Sequence, residues 1–377
     1  MPNRSTIIAP VIRITPAVTK RGAEMLLDAP PEGFSIEFHG KQIARLSRDD
    51  RSAGALEILE ELRKMGAPAY VEIDPETRTI SRLLIPLVTK VAFLSETKDG
   101  GIQVMLEMSS ALHVLERSNP DFEESLKALQ GAAENKTVAI ITETDNHEII
   151  DVRLFPPELK LPSLPVPPQP LTPPAPPGKK PSRFLFWWWP WFCPNYINEE
   201  TALAMFNLMS GKTCNPLTVS EPCIPFLYPD DGCWARAHEM YRLMLLQGVT
   251  SKKVWIYGSL HVSTKNNPYC QVFWGWHVAP TVCVRGLGLF GWLFRKEKVI
   301  DPALFSGPVT KDVWKSAQGD ANAQLVGTDG TAYHRSYSGT IQYDPTYANT
   351  NYYLAYYRLQ LKNRAIAYGP PPYANCA

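Results

Sequence analysis

The chain has 377 residues, with 38 basic against 37 acidic side chains and a net charge of +1. That length allows two or three domains, and the balanced charge gives no sign of nucleic-acid binding or of an acidic substrate. Hydrophobic residues make up 45% of the sequence, ordinary for a globular protein, and no apolar run approaches transmembrane length.

Residues 1–32 read as an N-terminal extension. Ile7 to Val18 is interrupted by Pro10, Arg13 and Pro16, so it lacks the unbroken apolar stretch of a signal peptide. Residues 33–100 and 101–156 then read as two small α+β units of one kind. Each has extended sequence first (Phe34 to Phe38; Ile102 to Leu106). A helical stretch follows (Leu56, Leu59; Leu126, Leu129), and then a hairpin. The hairpins run from Ala69 to Pro86 around the turn Asp74-Pro75, and from Val138 to Pro156 around Asp145-Asn146. Two copies are too few for a solenoid, so packing against each other is the natural way to bury their apolar faces. No glycine-rich phosphate loop or metal signature is visible in this half.

Pro156 to Pro177 holds eleven of the 35 prolines. It reads as a polyproline II spacer able to reach about 65 Å at ~3.1 Å per residue. With the basic run Gly178 to Arg183 it forms a linker over 157–183, and Lys179-Lys180 and Arg183 offer a trypsin-like cleavage site. The aromatic block Phe184 to Phe192 opens the last domain, 184–377. It is too short to span a bilayer and is expected to strap onto that domain.

Asp230-Asp231-Gly232 is a turn that leads into helical spacing, with Cys233, Ala237, Met240 and Met244 on one face and Gly248 as a stop. Cys233 is therefore expected at a helix start, where the macrodipole and unpaired N–H groups favour a thiolate. His277 lies in the strand-like run Trp274 to Val278, and Asp301 at the strand end Val299 to Pro302. Each residue has a plainer reading: a small buried thiol, a packed histidine, a strand terminator. The order Cys, His, Asp on these elements favours a nucleophile, a base and an orienting carboxylate, as thiol acyl-transfer enzymes need. Trp274, Trp276 and Tyr257 are cleft candidates that serve equally well as core. His238 is five residues along the helix, about 140° around from Cys233, and is expected to be structural. The backbone N–H of Cys233 is the expected first oxyanion donor.

All seven cysteines lie at or after Cys193. With Cys233 free, an even six remain, which suits disulfides and export to an oxidising compartment. Cys214 and Cys223 bracket a short turn-rich loop and are the favoured pair. Closing it contributes about 2.5–3 kcal/mol in the chain-entropy model. No Cys/His spacing fits a zinc finger, and neither a metal nor another cofactor is expected.

The segment from about Thr201 to Leu361 resembles the bacterial protein-glutaminase family, secreted enzymes that deamidate glutamine side chains in proteins. The resemblance rests on ordered blocks: Thr213-Cys214, Pro222-Cys223-Ile224, Phe226 to Pro229 and Asp231-Gly232-Cys233. Ala235 to His238, Tyr257-Gly258, His277-Val278-Ala279, Ile300-Asp301-Pro302, Leu304 to Thr310, Tyr333 to Ser336 and Tyr343-Asp344 complete them. It implies a papain/transglutaminase-like α+β cysteine domain without cofactors. The family's triad would fall on Cys233, His277 and Asp301, acting on protein or peptide substrates with accessible glutamine. The apolar loop Arg285 to Lys296 departs from the family pattern. Val104 to Phe155 is similar to the family's propeptide, which implies an intramolecular inhibitor over the cleft. The rival readings are a transglutaminase or thiol protease using the same triad, and a non-catalytic binding module.

Overall fold

The computed structural model describes residues 5–18, 24, 30–164, 196–218, 222–285 and 295–376. Most of the proline-rich linker, the dibasic sequence, the aromatic block and the centre of the 285–296 loop lie outside the described residues. The described chain is mixed α and β, with six helices and several sheets.

The first unit comprises β1 (Ser5–Thr15), β2 (Phe34–Phe38), β3 (Ile43–Leu46), α1 (Asp50–Met65), β4 (Pro68–Ile73) and β5 (Ile80–Leu84), in the sheet order β3-β2-β1-β4-β5. The second comprises β6 (Leu87–Glu96), β7 (Ile102–Leu106), β8 (His113–Leu115), α2 (Phe122–Asn135), β9 (Val138–Glu143) and β10 (Ile149–Leu154), in the order β8-β7-β6-β9-β10. The topology is the same in both, fully antiparallel, with the first strand in the middle. The boundaries differ from those read in sequence. The expected extension 1–32 supplies β1, the central strand of the first sheet. β6, expected to close the first unit, is the central strand of the second.

The proline in β1 explains the first displacement. Pro10 stands opposite Pro68, and its carbonyl points the other way, accepting from His39 N at 2.9 Å. No ladder bond between the two prolines is required, so a residue that usually interrupts a strand is tolerated here. In α1 the Asp49 carboxylate caps Ser52 N at 2.8 Å, and Gly66 ends the helix in the left-handed region.

The remaining residues form α3 (Glu199–Ser210), α4 (Cys233–Leu246), α5 (Lys311–Ser316), α6 (Ala348–Tyr368) and a sheet. Its path is β15 (Val309–Thr310), β14 (Arg295–Val299), β13 (Gln271–Arg285), β12 (Lys252–Ser263) and β16 (Gln324–Asp329), with β11 (Tyr196–Ile197) parallel to β13. A small hairpin joins β17 (Ala332–Arg335) to β18 (Ile341–Tyr343). α4 packs on β13, and α6 lies between α4 and α1. From α6, Tyr356 Oη and Gln360 Nε2 each donate to Ile85 O at 3.0 Å, and Asn363 Nδ2 donates to Leu83 O at 3.0 Å. One continuous apolar core joins both N-terminal units to the C-terminal domain. No helix among the described residues is long and apolar enough to cross a membrane.

Candidate active site

Cys233 is the first residue of α4 and is buried. Gly232 precedes it at φ +79, and a Cβ there would lie 2.3 Å from Tyr357 Cδ2, so the turn accepts only glycine. His277 sits mid-strand on β13, and Asp301 follows the end of β14. The structure brings the three together from separate elements. His277 Nε2–H donates to Asp301 Oδ2 at 2.9 Å. Nδ1 of His277 has no hydrogen-bond partner among the described residues that fixes it elsewhere, and the neighbouring Cys233 thiol acts on this ring.

All three groups are shielded from water. Burial disfavours the imidazolium, but the Asp301 carboxylate and then Cys233 outweigh it, and His277 is pushed up to about 9. Burial likewise works against the Asp301 carboxylate. His277, the Trp314 indole and the Arg236 guanidinium outweigh it and hold Asp301 below the usual carboxylate range. Trp314 Nε1 donates to Asp301 Oδ2 at 2.9 Å. The His277 ring is stacked between two indoles, Trp274 at 4.5 Å and Trp314 at 5.6 Å. The imidazole is thus held by stacking in its plane and by one carboxylate at its edge.

The sequence candidates divide. Trp274 touches the triad directly and also donates to Asp230 O at 2.7 Å. Trp276 is buried among Trp234, Trp255 and His334. Tyr257 is half-buried, donates to Arg335 O at 3.0 Å and faces Tyr337. His238 is structural: it accepts from Lys253 and stacks among Tyr241, Tyr333 and Tyr347. Burial and the Lys253 charge push it down to about 2. Cys214–Cys223 is a disulfide, as expected, and a second bridge joins Cys270 to Cys376. Cys283 is also disulfide-bonded, and Cys233 is the free cysteine among the described residues.

Two features escaped the sequence reading. Trp314 lies in a helix of six residues, and no spacing ties it to Asp301. The other is the segment Ser109–Leu112 between β7 and β8. On one side of β13, β14 reaches only Thr281 to Arg285, which leaves the edge at Phe273 to Trp276. Ser109–Leu112 fills that edge. Leu112 N donates to Phe273 O (3.1 Å), Gly275 N to Ser110 O (2.9 Å) and Trp276 Nε1 to Ser109 O (3.1 Å). Asp231, two residues before Cys233, accepts from both Ser110 N (2.7 Å) and Ser110 Oγ (2.9 Å), while Tyr357 Oη holds its other oxygen at 2.6 Å. Met105 meets the Tyr337 hydroxyl nearby.

A glutaminase family model matches residues 202–318. The crystal structure of pro-protein-glutaminase matches at 25% identity and TM-score 0.52, over 78% of this chain and 99% of that one. A crystal structure of protein-glutaminase matches at 36% identity over 43% of this chain and 88% of that one, with a TM-score of 0.38. The NMR structure of protein-glutaminase from Chryseobacterium proteolyticum matches at 31% identity over 48% and 97%, with a TM-score of 0.36. No curated sequence matches significantly. The chain belongs to the protein-glutaminase family. As a protein-glutaminase relative it matches the pro-form over more of its length than the C-terminal domain supplies, so the match takes in part of the N-terminal half.

Proposed function

We propose that this protein hydrolyses glutamine side chains in proteins and peptides to glutamate, releasing ammonia. The observation that carries the reading is the Cys233–His277–Asp301 arrangement in a protein-glutaminase-family domain. His277 holds the proton that Cys233 Sγ has given up, and Sγ attacks the carboxamide carbon. The backbone N–H of Cys233, at the helix start where no intrahelical acceptor exists, faces the developing oxyanion. His277 protonates the leaving ammonia, and a thioester remains on Cys233. His277 then activates a water, and glutamate leaves. Asp301 fixes the tautomer of His277 and stabilises its charged form, and Trp314 orients Asp301. A helix-start cysteine packed on a strand that carries the histidine supports a papain/transglutaminase-like domain.

The N-terminal half, in this reading, restrains the enzyme. Ser109–Leu112 lies along the strand that carries His277 and bonds to the turn that carries Cys233, where an extended substrate backbone would dock by strand addition. The disulfides support export, since such bonds persist in oxidising compartments. The reaction is tested by ammonia release from a glutamine-rich protein, with mass spectrometry of the product in excess lysine analogue. A gain of one mass unit per site, lost in Cys233→Ala, is expected. A product carrying mostly the amine, a cleaved backbone, or near-normal activity in Cys233→Ala would refute the mechanism.

A further inference from the structure

Outside the active site, the second unit buries a group of side chains with metal-ligand chemistry. His113 begins β8, Glu143 ends β9, and His147 lies in the β9–β10 turn. Both histidines are buried, at 0% and 7% exposure. One ligand atom from each of the three residues lies within 4.8 Å of the others. His113 Nδ1 bonds Glu143 Oε2, and His147 Nδ1 meets Glu143 Oε1 at 3.0 Å. One carboxylate thus bridges two imidazoles, each through the same nitrogen. Two neutral nitrogens and a carboxylate oxygen form a donor set that suits zinc and its neighbours in the first transition row. Binding would release any protons on the two Nδ1 atoms and draw the three donors in by small rotations.

One far nitrogen is arranged as a metal-bound histidine needs, and the other lies near a carboxylate. A ligating imidazole usually gives its other N–H to a hydroxyl, carbonyl or carboxylate, which sets its tautomer. His113 Nε2 lies 2.8 Å from Ser109 Oγ. His147 Nε2 is buried with no hydrogen-bond partner among the described residues, and the nearest carboxylate oxygen, Asp230 Oδ1, is 3.7 Å away. Asp230 in turn pairs with Arg364 at 2.6 and 3.0 Å, and Arg364 with Asp145 at 2.7 Å. His147 is held at φ +58, in the left-handed region that asparagine, aspartate and histidine enter more often than other non-glycine residues.

We propose that His113, Glu143 and His147 form a binding site for a divalent transition-metal ion of the zinc class, and that Asp230, 3.7 Å from the far nitrogen of His147, couples its occupancy to the docking of the second unit on the catalytic domain. The ligands belong to the second unit, and Asp230 to the turn that leads to Cys233. Ser109 opens the segment Ser109–Leu112 that lies on β13. A metal that orients His113 and His147 therefore favours the docked arrangement, and docking favours the metal by the same factor. The consequence for ammonia release rests on the restraint proposed above; the site and its coupling to docking do not.

The test uses the full chain carrying Cys233→Ala, which removes the free thiol as a competing ligand. Chelator-treated protein is titrated with Co(II), read by its visible absorption, and then with Zn(II) by calorimetry. One equivalent is expected, with loss of binding in Glu143→Gln and in His147→Asn, the latter chosen because asparagine accepts a left-handed conformation. Thermal melts establish that both variants are folded. Asp230→Asn should still bind, but about 10–100-fold more weakly. No binding, or equal binding in the folded Glu143→Gln and His147→Asn variants, would overturn the site. Unchanged affinity in Asp230→Asn would overturn the coupling. Binding is read without reference to ammonia release, so neither result depends on the catalytic reading.

Discussion

Replacing Asp301 with asparagine removes the charge that keeps His277 protonated while retaining size and one acceptor. Burial lowers the pKa of His277, and Asp301 more than reverses this, to about 9 against an ordinary 6.5. A raised folded-state value stabilises the protein fully below pH 6.5, and that stabilisation is lost as pH rises through about 9. At ~1.36 kcal/mol per unit, the pair contributes about 3 kcal/mol at pH 6. The group is fully buried, so solvent screening takes little from that figure. In Asp301→Asn the buried imidazole sheds its proton and the contribution disappears. The assay is urea unfolding of wild type and variant, followed by near-UV circular dichroism from pH 6 to 10. A gap of about 3 kcal/mol is expected at pH 6, equivalent to roughly 6–12 °C in a cooperative unit of 150–250 residues. The gap should close toward pH 10. A gap that does not change with pH, or no gap at pH 6, would refute the ion-pair account of His277.

Ser110→Pro deletes the N–H that Asp231 accepts and should raise ammonia release by the full chain. Unchanged activity would remove Ser109–Leu112 as the restraining segment. Cutting an engineered protease site near Lys180, followed by separation of the fragments, should also raise activity, because tethering holds a linked domain at about millimolar effective concentration. Equal activity of the full chain and the isolated 181–377 fragment would assign the N-terminal half another role. Peptide mapping without reduction should recover Cys214 linked to Cys223 and Cys270 linked to Cys376. The second bridge closes a span of 106 residues and contributes about 4.7 kcal/mol in the chain-entropy model, so its reduction should cost more than that of the first.

The sequence by itself determined what local chemistry and periodicity encode. Asp231-Gly232-Cys233 specifies a left-handed turn into a helix, so Cys233 had to stand at a helix start. The doubled pattern of strand, helix and hairpin marked two like units, and Cys214 and Cys223 were close enough in sequence to pair. Pro10, opposite Pro68, disguised β1 as an extension, because a proline's effect depends on which neighbour faces its missing N–H. Tertiary structure alone decided what depends on surfaces meeting. Trp314 reaches Asp301 because α5 packs on β14. Ser109–Leu112 finds Asp231 because one edge of β13 is left open beyond β14. Glu143 and His147 lie in a hairpin, with His113 thirty residues before Glu143. They share no spacing a motif describes, and only the meeting of β8 with the β9–β10 turn, where Val114 N donates to His147 O, brings them beside Asp230. Contacts of this kind are set by the register of strands far apart in the chain, which local pattern does not carry.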